Sequence, residues 1–271
     1  MQIVGKILLY LIAGAVLLFL IAPILLVMPM AFSHTPYFQF PVEAYSLRWF
    51  KELLGSSVWL HAIYNSIVIA SMSTLLAVSL GTLAAIGLNQ RDLPGKRFIM
   101  TILISPMIVP VIVLAVGSYF FYSKLGIANS LSSIVLVHAV LGMPFVVITV
   151  TAALSGFNMQ QMWAARGLGA DAWKSFRYVM FPAIRPGILS GAVFAFVTSF
   201  DEVVAVLFLG GPEQTTLPKQ MWIGLREQLS PTILSAAFLL ISITTIVLLL
   251  ETLRHHRSVK YTVTMPLSLG K

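Results

Sequence analysis

An all-α, polytopic membrane protein with six transmembrane helices and both termini in the cytoplasm (N-in/C-in) is the fold class this sequence predicts. Three observations carry it. Of 271 residues, 58% are hydrophobic and only 10% are charged, with a mean hydropathy of +0.94. Soluble domains average about 25% charged residues, so this chain cannot cover itself with an ordinary water-facing surface. Its apolar residues fall into six runs long enough to cross a bilayer, and its cations are shared unequally between the two sets of connections.

A span needs roughly 17 to 25 apolar residues. The six runs lie at approximately 7–32, 63–88, 98–122, 131–154, 187–209 and 233–253, within a single transmembrane domain covering residues 1–271. The first follows one cation, Lys6, as a signal peptide would. Its apolar core is about twice the length of a secretory one and lacks an Ala-x-Ala exit, so it reads as an uncleaved span. In the third, Pro106 and Pro110 of "SPMIVPVIV" each free a backbone carbonyl and predict a kink lining either a neighbour or the pathway. His138 in the fourth reads as a residue that hydrogen-bonds between helices rather than a catalytic one. Gly187 and Gly191 open the fifth with a Gly-x-x-x-Gly face suited to close helix packing.

Six spans put both termini on one side. If that side is the cytoplasm, it holds Lys6, Arg91, Lys96, Arg97, Arg166, Lys174, Arg177, Arg185, Arg254, Arg257, Lys260 and Lys271, twelve of the seventeen cations. The other side holds Arg48, Lys51, Lys124, Lys219 and Arg226. Lys and Arg flanking short loops stay cytoplasmic, which sets the orientation. The net charge of +8 therefore reads as topology. It does not read as nucleic-acid binding, since no basic run is interleaved with aromatics. The absence of Cys excludes disulfides, thiolate metal sites and Cys nucleophiles.

Two outward loops have helical character. "SLRWFKELL" (46–54) places Leu47, Phe50, Leu53 and Leu54 on one face of a short amphipathic helix suited to the membrane interface. "GGPEQTTLPKQMWIGLREQLSP" (210–231) opens on turn residues and continues into a second amphipathic segment. Both read as capping elements, and either can receive a soluble partner from outside. The tail beginning at Arg254 is cytoplasmic and without a motif; its cations suit contact with anionic membrane lipid.

The cytoplasmic stretch "MWAARGLGADAWKSFRYVMFP" (162–182) is too polar to span. Helix formers from Met159 to Leu168 include Ala164 and Ala165, a low face that another backbone can approach. Gly169 supplies the left-handed conformation that ends a helix, and Asp171 can cap the next by accepting backbone N–H bonds. The second helix carries Trp173, Phe176 and Val179 or Met180 on one side, with Pro182 and Pro186 expected to stop it before the fifth span. Physics alone leaves two readings open, an ordinary connector and a rigid bent knob for transmitting force.

The segment from Trp163 to Pro186 resembles the "EAA" loop of inner-membrane permease subunits of bacterial ATP-binding-cassette importers. That pattern is Glu-Ala-Ala, three residues, Gly, then an apolar residue and Pro about ten further on. Here it stands as Trp163-Ala164-Ala165-Arg166-Gly167-Leu168-Gly169-Ala170, followed by Trp173, Phe176 and Pro182. The six spans extend the resemblance, and "SFDEVVAVLFLGGPEQTTLP" (199–218) is similar to the spermidine/putrescine branch.

What the resemblance implies is a type I importer permease fold, paired with a different, second permease subunit in the bacterial inner membrane. A cytoplasmic ATPase dimer and a periplasmic solute-binding protein complete it. Residues 159–186 become the coupling loop, with Trp163, Ala164, Ala165, Leu168, Gly169, Ala170 and Asp171 docking the ATPase. ATP and Mg would sit in that partner, because this chain has no Gly-x-x-x-x-Gly-Lys-Ser/Thr phosphate loop, no cofactor of its own and no metal site. Trp163 replaces the family's leading Glu, so docking here rests on shape, the alanines and an aromatic contact.

Asp201 and Glu202 lie some fifteen residues into the fifth span. An acid at mid-depth costs about 2.5 to 3.5 kcal/mol on insertion scales and marks a pathway by default. Neighbours on a helix diverge by about 100°, so one carboxylate is expected to face the pathway and the other a helix partner or a backbone N–H. The functional reading is attraction of a cationic, polyamine-like cargo; the structural one is that both fix helix packing. An intramembrane enzyme is disfavoured by the absence of Gly-x-Gly-Asp, His-Glu-x-x-His and Gly-x-Ser-Gly. An ATP-independent channel or secondary transporter is the alternative, though neither needs a coupling loop.

Reporters fused after Arg97 and after Lys174 are expected to read cytoplasmic, and those after Lys51 and Lys219 external. An external signal at Lys174 would sink the topology.

Overall fold

The computed structural model describes residues 2–90, 93–227 and 230–263. Arg91 and Lys271 of the cation count, with the end of the tail, lie outside these. Among the described residues the secondary structure is helical, with one isolated bridge between Ser33 and Tyr45. Five helices are long and apolar enough to cross a membrane, or six if one sharply bent pair is counted as a single span.

The chain gathers into two compact units, the first formed by Met1–His61 with Gln220–Ile243 and the second centred on Ala62–Lys219. In the first, helix α1 (Gln2–Met30) is apolar, and its most hydrophobic stretch buries nothing within the chain, as suits a helix bathed in lipid. The short helix α2 (Arg48–Gly55) buries Trp49 and Leu53 and leaves Leu47 and Leu54 exposed. The expected apolar face is therefore rotated. Phe50 instead meets Phe32 and Phe238, at ring-centroid distances of 4.9 and 5.7 Å, and this aromatic cluster outbids a stripe of leucines because it can interlock edge to face. Thr232 donates to Glu52 Oε1 at 3.0 Å, and Ser235 donates to the Ala31 carbonyl at 3.1 Å.

The second unit is built on α3 (Ser57–Leu88), α6 (Leu131–Ser155) and α9 (Phe181–Asp201). Between the first two lies the third expected span, which is more than kinked. Helix α4 (Lys96–Ile104) continues through a 3-10 turn to Met107, and α5 (Val111–Lys124) leaves it at 100°. Pro106 and Pro110 both lack a donor, and a proline disfavours the helical conformation in the residue before it. Two such residues one turn apart break the rod outright, and Pro110 starts the next helix.

The fifth expected span also differs from its sequence reading. Pro182 and Pro186 do not stop the second loop helix. The chain stays helical from α8 (Ala172–Ser175) through a π-turn (Phe176–Met180) into α9, with Pro182 in the first turn and Pro186 inside. The Phe181 N–H reaches back to the Phe176 carbonyl, and this wider turn accommodates a proline ring that an α-turn would press against a carbonyl. At its far end α9 stops at Asp201. The rest of the expected span is a separate helix, α10 (Val204–Leu209).

Packing between α6 and α9 is the centre of this unit. A Cβ on Gly187 would lie 2.7 Å from the Thr149 carbonyl oxygen, and one on Gly191 would lie 2.8 Å from Val146 Cα. On the facing side, a Cβ on Gly142 would meet Ala195 Cβ at 2.9 Å. Two apolar clusters lie on either side of the α9 end. One joins Ile134, Val137 and Leu141 of α6 to Ala205, Val206 and Leu209 of α10; the other joins Val146, Val150 and Leu154 to Met180, Ile184 and Ala195.

Because the atoms facing Gly187 and Gly191 include backbone, an alanine at either position is expected to cost about 1–3 kcal/mol, the usual price of overpacking. Gly87→Ala, whose Cβ meets nothing within 4 Å, serves as the control. Thermal unfolding in detergent should show Tm lowered for Gly187→Ala and Gly191→Ala and unchanged for the control.

Candidate functional site

The loop expected to be cytoplasmic begins with α7 (Gln160–Gly167) and ends on a built bend. The Ala170 N–H donates to the Ala165 carbonyl at 3.1 Å, and the Gly169 N–H donates to the Arg166 carbonyl at 3.0 Å. This nested pair closes a helix end only if the residue between adopts a left-handed conformation, and Gly169 has φ +90°. Asp171 then caps α8: its Oδ1 accepts the Lys174 N–H at 2.7 Å. That backbone hydrogen bond holds the Asp171 carboxyl below its usual pKa, with the Lys174 ammonium, 3.6 Å from Oδ2, adding to it.

The loop is anchored from one side only. Met162 and Met180 are buried in the cluster with Leu154 and Ile184. Outward face Trp163, Trp173 and, at the tip of the bend, Leu168, which is 90% exposed. Ala164, Gly169 and Asp171 are exposed as well, while Ala165 and Ala170 are half-buried. Large apolar side chains held out on a rigid, polar-flanked bend mark an interaction surface. Beneath the loop is a cavity of about 270 Å³ whose walls include Ile86, Asn89, Met159, Met162, Arg166 and Phe176. Its flexible methionines let the anchoring contacts adjust without being lost.

At the other end of the same helical rod, the two acids part. Glu202 is extended and half-buried, and its Oε1 accepts the Ala205 N–H at 3.0 Å, capping α10. Asp201, the last residue of α9, is exposed, and no hydrogen bond to it is seen among the described residues. The break thus leaves one carboxylate committed to the backbone and the other exposed.

Just inside the break lies a polar cluster. His138 Nδ1 is 2.8 Å from Ser199 Oγ, and Ser199 Oγ is 2.9 Å from Ser73 Oγ. His138 does hydrogen-bond between helices; its serine partners on α9 and α3 have no sequence signal, since serine is common in apolar helices and the pairing is purely spatial.

Sequence reasoning also missed how the 210–217 loop is pinned. Asn65 donates to the Glu213 and Thr215 carbonyls at 2.8 and 3.0 Å, and Ser66 Oγ accepts the Leu217 N–H at 2.7 Å. Lys219, one of the five cations expected on the outer side, is buried and donates to the Gly210 carbonyl at 2.8 Å. Burial pushes its ammonium pKa down.

A broken third span, a continuous loop-to-span rod and an anchored bent loop define a multi-pass, all-α permease fold of the type I importer class. Residues 77–258 match the family described as binding-protein-dependent transport system inner membrane component, and the chain belongs to that family of ABC importer permease subunits. It is 29% identical over 219 residues to the spermidine/putrescine transport system permease protein PotC of Escherichia coli K12, covering 81% of this chain and 83% of that one. The putrescine transport system permease protein PotI of the same organism is 29% identical over 207 residues, 73% of each chain. These relatives are permeases, not enzymes. In fold, the chain is similar to a bacterial transporter that imports the acidic polysaccharide alginate, with a TM-score of 0.69 at 15% identity over 93% of this chain and 96% of that one. A second structure of the alginate transporter, in complex with an alginate-bound periplasmic protein, gives 0.70 at 19% identity over 92% and 94%.

Removing the Asp171 carboxylate should loosen α8. For Asp171→Ala, amide hydrogen exchange at residues 173–175, corrected for intrinsic rates, is expected to quicken several-fold. In the wild type, a carboxyl whose folded pKa is depressed gives its full protection above the ordinary carboxylate pKa. That protection is lost as pH falls through the lower, folded value. Exchange in the variant should lack this step.

Proposed function

We propose that this chain is one of two permease subunits, paired with a different second subunit, in an inner-membrane importer that moves a small cationic, polyamine-like solute. A periplasmic binding protein delivers the solute and a cytoplasmic ATPase dimer, holding ATP and Mg, drives the cycle. The observation that carries the reading is a single helical rod of 30 residues, Ala172–Asp201, with the exposed loop at one end and an uncommitted carboxylate at the other. At 1.5 Å per residue the rod is about 45 Å long, enough to cross the bilayer.

In this mechanism Trp163, Ala164, Ala165, Leu168, Gly169, Ala170 and Asp171 form the surface seated in the ATPase. Trp163 stands where the family has Glu, so the contact there is aromatic and buries area in place of an ion pair. When nucleotide closes the ATPase dimer, the loop is displaced, and the rod turns and tilts as one piece. Its far end carries Asp201 relative to the helices around it. Asp201 offers negative potential to an amine in the pathway, attracting it without holding it, because one exposed carboxylate lacks the further partners that a tight site needs. Glu202 is spent on the α10 cap and keeps the break in shape. The similarity to PotC and PotI supports the cationic class of cargo.

Ala165→Glu places a charge on the half-buried face, and Gly169→Val forces a β-branched residue into a left-handed conformation that costs about 1 kcal/mol or more. Both are expected to abolish uptake and weaken co-purification with the ATPase, while the chain still inserts. Unchanged ATPase recovery and uptake in both would refute the docking role. Asp201→Asn is expected to lower uptake of spermidine with binding-protein affinity unchanged and part of the stimulated ATPase activity retained. Wild-type uptake, or an anionic cargo, would make the acid structural; uptake by the chain without an ATPase would favour a channel.

A further inference from the structure

The buried cluster at the end of α9 ties three helices together at one serine. The Ser73 hydroxyl of α3 donates to its own helix at the Ile69 carbonyl, 2.7 Å away, and toward Ser199 Oγ of α9 at 2.9 Å. Ser199 Oγ also lies 2.8 Å from His138 Nδ1 of α6. His138 Nε2 is buried with no partner among the described residues. A proton there would be a stranded donor, the costlier orphan, so the favoured tautomer carries its proton on Nδ1 and donates it to Ser199. Ser199 Oγ is thus the acceptor on which α6 and α3 converge.

Its position gives it a task. His138 and Ser73 are 1% exposed and Ser199 is 6% exposed. Ser199 precedes Asp201 by two residues, about 200° around the helix, so the two side chains leave α9 in nearly opposite directions. Holding Ser199 inward therefore fixes the rotation that turns Asp201 outward. The close contacts at Gly142, Gly187 and Gly191 hold α9 against α6 up to the level of Ala195. One turn further on, the hydrogen bonds from His138 and Ser73 hold it at Ser199, in a low-dielectric interior where directed bonds count for more.

We propose that His138, acting with Ser73 through Ser199, is a positioning residue that aims the Asp201 carboxylate at the cargo. The inference rests on the reading of Asp201 as a pathway residue. The asparagine amide nitrogen occupies the place of Nδ1 and can restore the donor; the glutamine nitrogen reaches toward Nε2, where nothing receives it.

The test is spermidine uptake by the complete importer in proteoliposomes, with the ATPase activity stimulated by loaded binding protein as the measure of assembly. His138→Leu and His138→Gln are expected to lower the maximal uptake rate roughly threefold to tenfold, the range a hydrogen bond between membrane helices supports, with stimulated ATPase activity largely kept. His138→Asn should recover most of the loss. Ser199→Ala, a smaller change less prone to misfolding, should reproduce it. In an Asp201→Asn background, His138→Leu should cause no further loss. Wild-type uptake by His138→Leu and Ser199→Ala, equal losses for Asn and Gln, or a full additional loss in the Asp201→Asn background would each overturn the positioning role while leaving the pathway reading intact. Wild-type uptake by Asp201→Asn alone removes the pathway reading itself, and the positioning role with it.

Discussion

Inside a bilayer, two helices gain nothing by hiding leucine from lipid, because the lipid is as apolar as the leucine. What remains is contact, and contact close enough to matter requires that side chains be absent. Thr149 of α6 stands where a Cβ on Gly187 or Gly191 would be, and Ala195 of α9 stands where one on Gly142 would be. This mutual intrusion of backbone and side chain fixes the spacing and pitch of α6 against α9, on which the rest of the second unit depends. Gly81 repeats the device on α3, whose missing Cβ would lie 2.8 Å from Val146 Cβ.

Three helices held this closely can use polar atoms that would be liabilities elsewhere. A hydroxyl in hydrocarbon needs a partner at the right distance. His138, Ser199 and Ser73 find theirs because α6, α9 and α3 are already near enough for 2.8 and 2.9 Å contacts. The same closeness permits α9 to end inside the unit. The short α10 is received by Ile134, Val137 and Leu141, and Glu202 supplies the cap that a helix starting there requires. The acidic break and the polar cluster are thus consequences of one tight helix contact.

Much of this was legible in the sequence where the signal is local. Run length and hydropathy give the spans, because lipid demands about twenty apolar residues whatever the fold. Gly169 and Asp171 announce a bend and a cap, because both depend on conformations within a few residues, and φ at Gly169 and the Asp171–Lys174 bond follow accordingly. Asp201 and Glu202 were expected to diverge as neighbours on one continuous helix; they part instead because α9 ends at Asp201 and Glu202 is extended. Proline was read less well, and in opposite directions. Pro106 and Pro110 break a span completely, whereas Pro182 and Pro186 stop nothing. The difference lies in the surroundings: around Phe176–Met180 the bundle holds the chain helical while one turn widens, and no local rule carries that information. The α2 face was misjudged for the same reason, since Phe32 and Phe238 are remote in sequence from Phe50. Asn65, Ser66 and Lys219 gave no hint that they pin one loop.

The widened turn carries an implication for how such a chain can change length. A π-turn holds one residue more than the α-turn it replaces, and each residue advances a helix by about 100°. Phe176–Met180 therefore sets the angular offset between the loop's outward side chains and the Gly187–Gly191 stripe. Deleting a single residue there would return the ladder to ordinary spacing, bring the Pro182 ring against a carbonyl, and swing Trp163 and Leu168 around the rod by about a quarter-turn. Point substitutions leave that offset alone. Divergence of this segment is thus quantised in length, so gaps between sequences should spare these five residues.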